Sequence, residues 1–306
     1  MNKTSVWRLF LMISIVFALS LIFLYREMTD ISRPFPAPGK ELLQGSDTRP
    51  LYYFGVVSRF PPTLIYQGYQ PIMDYLSQNT PYRFALKLST SYRQTVEQLV
   101  HGKVVAAFLG SFIFAREMQT KNLRCILRPL SAKNKPFLRA VIVTQTSSHI
   151  HSVKDLAGRK IALPSPLSFS ANWFLYRALA RNGLKRSQLD SVRFFAHHHT
   201  VIYEILKGHF DAGVVKDRVA QEFLNRGIRM VARSAPIPSS PLVVSLKSPK
   251  EIVQAVKTAL LKIDLSKEYY RRLVRHWDAE FAHGFALAEN DDYRILLPLV
   301  KAAGTK

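Results

Sequence analysis

Val104-Val-Ala-Ala-Phe-Leu109 runs six residues without a polar interruption. A strand this apolar is covered by helices on both sheet faces, since a strand with one face in water alternates apolar and polar positions. The same reading extends outward. Leu51–Val57 (LYYFGVV) and Arg83–Leu88 read as strands, Pro61-Pro62 opens a helix through about Leu76, and Ser91–His101 places Val96, Leu99 and Val100 along a second helix. This β-α-β-α-β alternation predicts a mostly parallel sheet with right-handed crossovers.

The alternation restarts after residue 140. Strands are expected at Ala140–Val143, Lys160–Leu163, Val192–Phe195, Ala212–Val215, Met230–Ala232 and Leu242–Val244. Between them lie a helical turn at Val153–Gly158 and helices at Ala171–Asn182, Val201–Gly208 and Arg218–Arg226. Helices at Lys250–Ile263, Lys267–Trp277 and Asp292–Ala302 close the chain. The fold class is therefore α/β with two lobes, one from about 51–139 plus 240–306 and the other from about 140–239. The chain crosses between them near Ala140–Val143 and Met230–Ala232. In such a fold the ligand lies in the cleft, at the carboxyl ends of strands, where following helices present free N–H groups.

Composition narrows the function. Of 306 residues 48% are apolar and 11% aromatic, enough for a sizeable core, and 43 Lys and Arg stand against 21 Asp and Glu. The resulting net charge of +22 favours an anionic partner. The basic residues are dispersed, without a zinc-finger, basic-zipper or RNA-recognition signature, so nucleic acid is not expected as a partner. The single Cys125 excludes an internal disulfide framework and reads as a buried thiol inside Leu123–Leu127.

Residues 9–25 (LFLMISIVFALSLIFLY) carry no charge, and Arg8 can snorkel, so the stretch is long enough to span a bilayer. Lys3 and Arg8 precede it, whereas Arg26 and Arg33 after it are balanced by Glu27 and Asp30. This puts residues 1–8 in the cytoplasm and the body outside. The competing reading is a signal peptide cut after Ala18-Leu19-Ser20. Residues 26–50 read as a linker, with four prolines and two glycines in 31–50. The expected location is the extracytoplasmic face of the inner membrane, held by a single-pass helix.

The strongest local signal is Ala162-Leu-Pro-Ser-Pro-Leu-Ser168-Phe169-Ser170-Ala-Asn172. Two hydroxyls at i and i+2, joined to the first amides of a helix, suit a tetrahedral oxyanion, although serines also simply cap helices. The longer stretch from Asp155 to Ser170 (DLAGRKIALPSPLSFS) resembles the "DLKGKxxAFxDPxSTSG" region of phosphonate- and phosphite-binding proteins of ABC transporters. Three further stretches agree in order. Tyr69–Leu76 (YQPIMDYL) resembles "YxPLxxYL". Ser91–Lys103 followed by Leu109-Gly-Ser111 resembles "SDYxxxxEALxxGKVDxAxLGP". His197-His-His199 with Leu206-Lys-Gly208 and Phe210-Asp-Ala212 resembles "GSHxxxxxxxxxGxVDA". The resemblance covers about residues 51–305 and implies a type II periplasmic-binding-protein architecture. It implicates Ser168, Ser170 and His198 in holding a phosphorus oxyanion, with Tyr92 and Ser111 facing them from the other lobe. Phe169 replaces the family's middle threonine, and neither expected aspartate is present, Ser91 directly preceding Tyr92 and Val105 standing at the second position.

Consecutive histidines point in different directions and cannot share one ion, which speaks against a metal. Register with the family motif selects His198 for the anion, and His197 and His199 are read as solvated. No metal or cofactor is expected. No nucleophile elbow, HExxH or P-loop is present; a hydrolase would need Asp211 or Asp217 to orient His198, so no enzyme activity is expected. The reading is capture of phosphonate, phosphite or phosphate by lobe closure and delivery to an ABC permease and its ATPase. The alternative is a tethered sensor feeding a membrane signalling protein.

Overall fold

The computed structural model describes residues 47–304, except Arg59 and residues 169–172, together with Trp7, Met12, Phe17, Leu19 and Ser20. Those five are helical and exposed. The remainder of the expected anchor at 9–25, and the linker up to residue 46, lie outside the described residues. Among the described residues no helix is long and apolar enough to cross a membrane. Residues 1–48 and 49–306 form two separate units, and the second carries the fold.

Strand β1 (Leu51–Val56) is followed by helix α1 (Pro62–Gln78) and strand β2 (Arg83–Lys87). Proline suits the first turn of α1, where its missing N–H leaves no bond unmade; Ile65, Tyr69, Ile72, Met73 and Leu76 then face inward at helical spacing. Helix α2 (Tyr92–Val100) is capped by Ser91, whose hydroxyl accepts from the Gln94 N–H at 3.1 Å. Strand β3 (Ala106–Phe108), helix α3 (Ser111–Glu117) and strand β4 (Leu123–Pro129) follow, and the two-residue β5 (Phe137–Leu138) leads out of this lobe.

The second lobe contains β6 (Ala140–Gln145), β7 (Lys160–Leu163), α4 (Leu175–Arg181), β8 (Ser191–Phe194), α5 (His198–Leu206), β9 (Ala212–Lys216), α6 (Asp217–Gln221) and β10 (Ile228–Arg233). The chain returns through β11 (Ile237–Pro238) to β12 (Leu242–Ser245), α7 (Lys250–Leu261), α8 (Glu268–Leu273), β13 (Phe285–Leu287) and α9 (Leu297–Gly304). Helix α8 buries none of its residues, and Arg272 pairs with Glu268 one turn earlier.

The first sheet has the order β13-β4-β12-β3-β1-β2, the second β10-β6-β9-β7-β8. The expectation of a mostly parallel sheet is corrected here. Strand β1 is parallel to β2 and β3, and β7 to β8 and β9, but β12 is antiparallel to β3 and β4, β13 to β4, and β6 to both β9 and β10. Strands β12 and β6 arrive from the other lobe, so no helical crossover fixes their direction. Residues at and just after the strand ends split by parity between two cores. Phe54, Val56, Ala106 and Phe108 pack in one, and Val57, Ala107 and Leu109 in the other. In the second lobe Val141, Val143 and Val215 pack opposite Ile142 and Val214. Two-sided burial is the reason for the unbroken apolar run at 104–109.

The lobes join through a ribbon in which β5 and β11 pair antiparallel, Leu138 with Ile237 and Phe137 with Pro238. Ala140–Val143 and Met230–Ala232 belong to β6 and β10, which pair with each other beyond that ribbon. The Ser111 hydroxyl donates to the Pro238 carbonyl at 2.6 Å, tying the start of α3 to the ribbon.

Candidate functional site

The carboxyl ends of four strands meet between the lobes. Val57 follows β1, Gly110 and Ser111 make the turn from β3 into α3, Leu167 and Ser168 lie in the turn after β7, and Lys216 ends β9. With Tyr92 and His198 these residues line one cavity of about 30 Å³, closed on the ribbon side by Leu138 and Ile237. Tyr92 and His198 are the first residues of α2 and α5, two nine-residue helices from opposite lobes, so both present helix N-termini to one space. Backbone N–H groups there have no helical partner and favour an anion.

Of the six residues singled out from the sequence, Tyr92, Ser111, Ser168 and His198 are brought together, each less than a tenth exposed. Phe169 and Ser170 lie outside the described residues. Ser168 closes a tight turn, its N–H donating to the Ser165 carbonyl at 2.8 Å. The Ser111 hydroxyl proton is committed to Pro238, which makes Ser111 a wall and a hinge contact first. Val105, where the family motif has aspartate, is buried in the core.

The reading of His197 and His199 as solvated is corrected. His197 is half-buried, and its Nδ1 lies 3.1 Å from the Ser58 carbonyl of the other lobe. Burial, outweighing that bond, holds its imidazole below the ordinary value of 6.5. His199 is buried, with Nε2 2.9 Å from Glu222 Oε2 and its ring edge-on to Phe60 across the lobe boundary at 5.1 Å. The N-terminus of α5 faces the other lobe, so the side chains of His197 and His199 are covered by Ser58 and Phe60 rather than by water.

Sequence reasoning also missed Lys216. A lone cation ending an apolar strand (Ala212-Gly-Val-Val-Lys216) is a signal, because strand ends are where ligands sit. Its ammonium lies 2.9 Å from Ser240 Oγ and 3.2 Å from both Glu280 oxygens. Arg218 Nη2 reaches Asp278 at 3.2 Å and Glu280 at 3.5 Å, so two cations of one lobe face two carboxylates of the other. Asp211 and Asp217, the orienting groups a hydrolase would require, accept from the Lys160 and Arg218 backbone N–H groups at 2.8 and 3.0 Å.

Among known protein families, the one described as "ABC transporter, phosphonate, periplasmic substrate-binding protein" matches residues 54–293. A binding-protein component of an ABC phosphonate transporter from Pseudomonas aeruginosa superposes with a TM-score of 0.73 at 15% identity, over 84% of this chain and 87% of that one. A Prochlorococcus marinus protein in complex with methylphosphonate gives 0.72 at 14%, over 84% and 99%. A Xanthomonas citri protein bound to ATP gives 0.64 at 18%, over 83% and 97%. At such identities the likeness to these structures is one of two-lobed α/β fold.

Proposed function

The chain belongs to the periplasmic substrate-binding proteins of phosphonate ABC transporters, and from that premise we propose that it holds the phosphorus oxyanion of phosphonate, phosphite or phosphate in the cavity between Tyr92 and His198. Ser168, Ser170 and His198 are the proposed donors from one lobe. Tyr92 covers the anion from the other, with Ser111 and Phe169 as walls. The observation that carries this reading is the convergence of two helix N-termini and a serine turn on one enclosed space. Its function is capture rather than conversion, and the permease and ATPase of a transporter are the proposed receivers. The lobes are proposed to divide at about 139/140 and 239/240, and residues 9–25 to tether the body to the inner membrane, on the strength of seventeen uncharged residues.

One preparation tests both parts. The full chain should sediment with membranes and resist an alkaline wash, and methylphosphonate should raise its melting temperature while glucose and alanine do not. At a ligand concentration about 100 times Kd the added stability is about 2.7 kcal/mol. Ser168→Ala and His198→Ala should each remove about 1.5–3 kcal/mol of binding, the range for a hydrogen bond to a charged group. Release by the wash ends the tether; equal shifts with sulfate and nucleotides that vanish in high salt end the cavity reading.

A further inference from the structure

A second cavity of about 460 Å³ adjoins the first, and Leu138 and Lys216 line both. The small cavity has room on the scale of a water molecule or two, at about 10–15 Å³ each, so a substituent on phosphorus needs space beyond it. The larger volume is that of an ordinary small-molecule site. Lys133, Lys135, Arg139, Lys216, Arg218 and Arg233 line it against two carboxylates, Asp217 and Glu280.

A basic lining alone means little in a chain of +22. Two observations set this one apart. Its shared wall is Lys216, whose ammonium sits beside Glu280 on the side of the larger cavity. Arg218 uses Nη2 for Asp278 and Glu280, while its Nη1 is buried with no hydrogen-bond partner among the described residues. A buried guanidinium nitrogen without an acceptor is costly, and an anionic oxygen is the group that would satisfy it. Glu280 is already engaged by Lys216 and Arg218, and among the described residues no carboxylate forms an ion pair with Lys133, Lys135, Arg139 or Arg233.

We infer that the ligand carries a second negative charge on its substituent, a carboxylate on a short alkyl arm, which passes Lys216 and lies in the larger cavity near Arg218, Arg139 and Arg233. This rests on the oxyanion reading above and adds the substrate class: carboxyalkylphosphonates in preference to neutral or aminoalkyl ones.

Titration calorimetry of the full chain at fixed ionic strength, with methylphosphonate, 3-phosphonopropionate and 3-aminopropylphosphonate, tests it. The carboxylate should bind at least about tenfold more tightly than the methyl compound, and the amine more weakly than either. Arg233→Gln and Arg139→Gln should each narrow the gap between carboxylate and methyl compound. Equal affinities, or preference for the amine, overturn the inference. So does an equal narrowing by Arg271→Gln on the exposed face of α8, because overall charge alone would then account for the preference. If none of the three binds, the oxyanion reading itself fails and this one falls with it.

Discussion

At the scale of single residues, His197 makes unliganded stability depend on pH. Its folded pKa lies below the ordinary 6.5 because burial disfavours the charged ring. His283 is shifted the same way by burial and by Arg218. For a base depressed by folding, the unfolded chain takes the proton first. Its contribution is therefore complete above about pH 6.5 and is lost as pH falls through that value. Melting temperature should drop between about pH 7.5 and pH 5.5, and His197→Asn, which keeps an N–H for the Ser58 carbonyl, should flatten the slope. The protein must be measured without ligand, since a phosphoryl group's second proton titrates near pH 6 as well. Parallel slopes for the two proteins would remove His197 from the account. The chemistry of individual residues was only partly legible beforehand. Ser168 stands in a serine-rich turn before a helix, which is a local signature, whereas Tyr92 and His198 are reached only through the resemblance to the phosphonate-binding family. The bond from His197 to Ser58 spans 139 residues and leaves none. Cys125 was legible as buried, and burial pushes its thiol up to about 12.

Secondary elements carry the site through one close approach. Helix α5 sits on β9 so tightly that a Cβ on Gly213 would lie 2.6 Å from Val201 Cγ1 and 2.8 Å from the Ala162 carbonyl oxygen. Strand backbone cannot yield as a flexible side chain can, so Gly213→Ala must push α5 outward, and His198 with it. The expected cost is about 1–3 kcal/mol in urea unfolding, accompanied by weaker methylphosphonate binding. An alanine variant of full stability and unchanged affinity would show that α5 has slack. Most elements could be read from the sequence because strands covered on both faces are apolar without interruption, as in 104–109. Strand β4 escaped because Arg124 and Arg128 interrupt the apolar pattern of Leu123–Pro129, although it lies inside the sheet between β12 and the three-residue β13. Strands β5 and β11, two residues each, are below any periodicity. Strand direction was misjudged for the reason given above: alternation predicts crossovers only within a lobe.

For the whole molecule, the lobes meet in contacts that only a closed arrangement can make. Ser58 meets His197, Phe60 meets His199, and Lys216 and Arg218 meet Asp278 and Glu280. The covalent connection is a ribbon of two residues per strand, so rotation there is opposed chiefly by those contacts. Glu280 is 6% exposed and serves both cations, and removing one partner of a buried pair typically costs about 3–5 kcal/mol, because the remaining charge stays dry. Opening the lobes lets water reach Lys216 and Arg218, so in Glu280→Gln the open form recovers much of that loss. Small-angle scattering of the body from residue 49 onward should therefore show a larger radius of gyration for unliganded Glu280→Gln than for the unmodified body. Saturating methylphosphonate should bring the two together, since a ligand held from both lobes favours the closed form by its differential affinity for it. A radius unchanged by the substitution and by the ligand would mean a rigid body whose ribbon does not bend. A radius raised by the substitution but not lowered by methylphosphonate would place the ligand on one lobe alone, contrary to the convergence of Tyr92 and His198 on a common cavity.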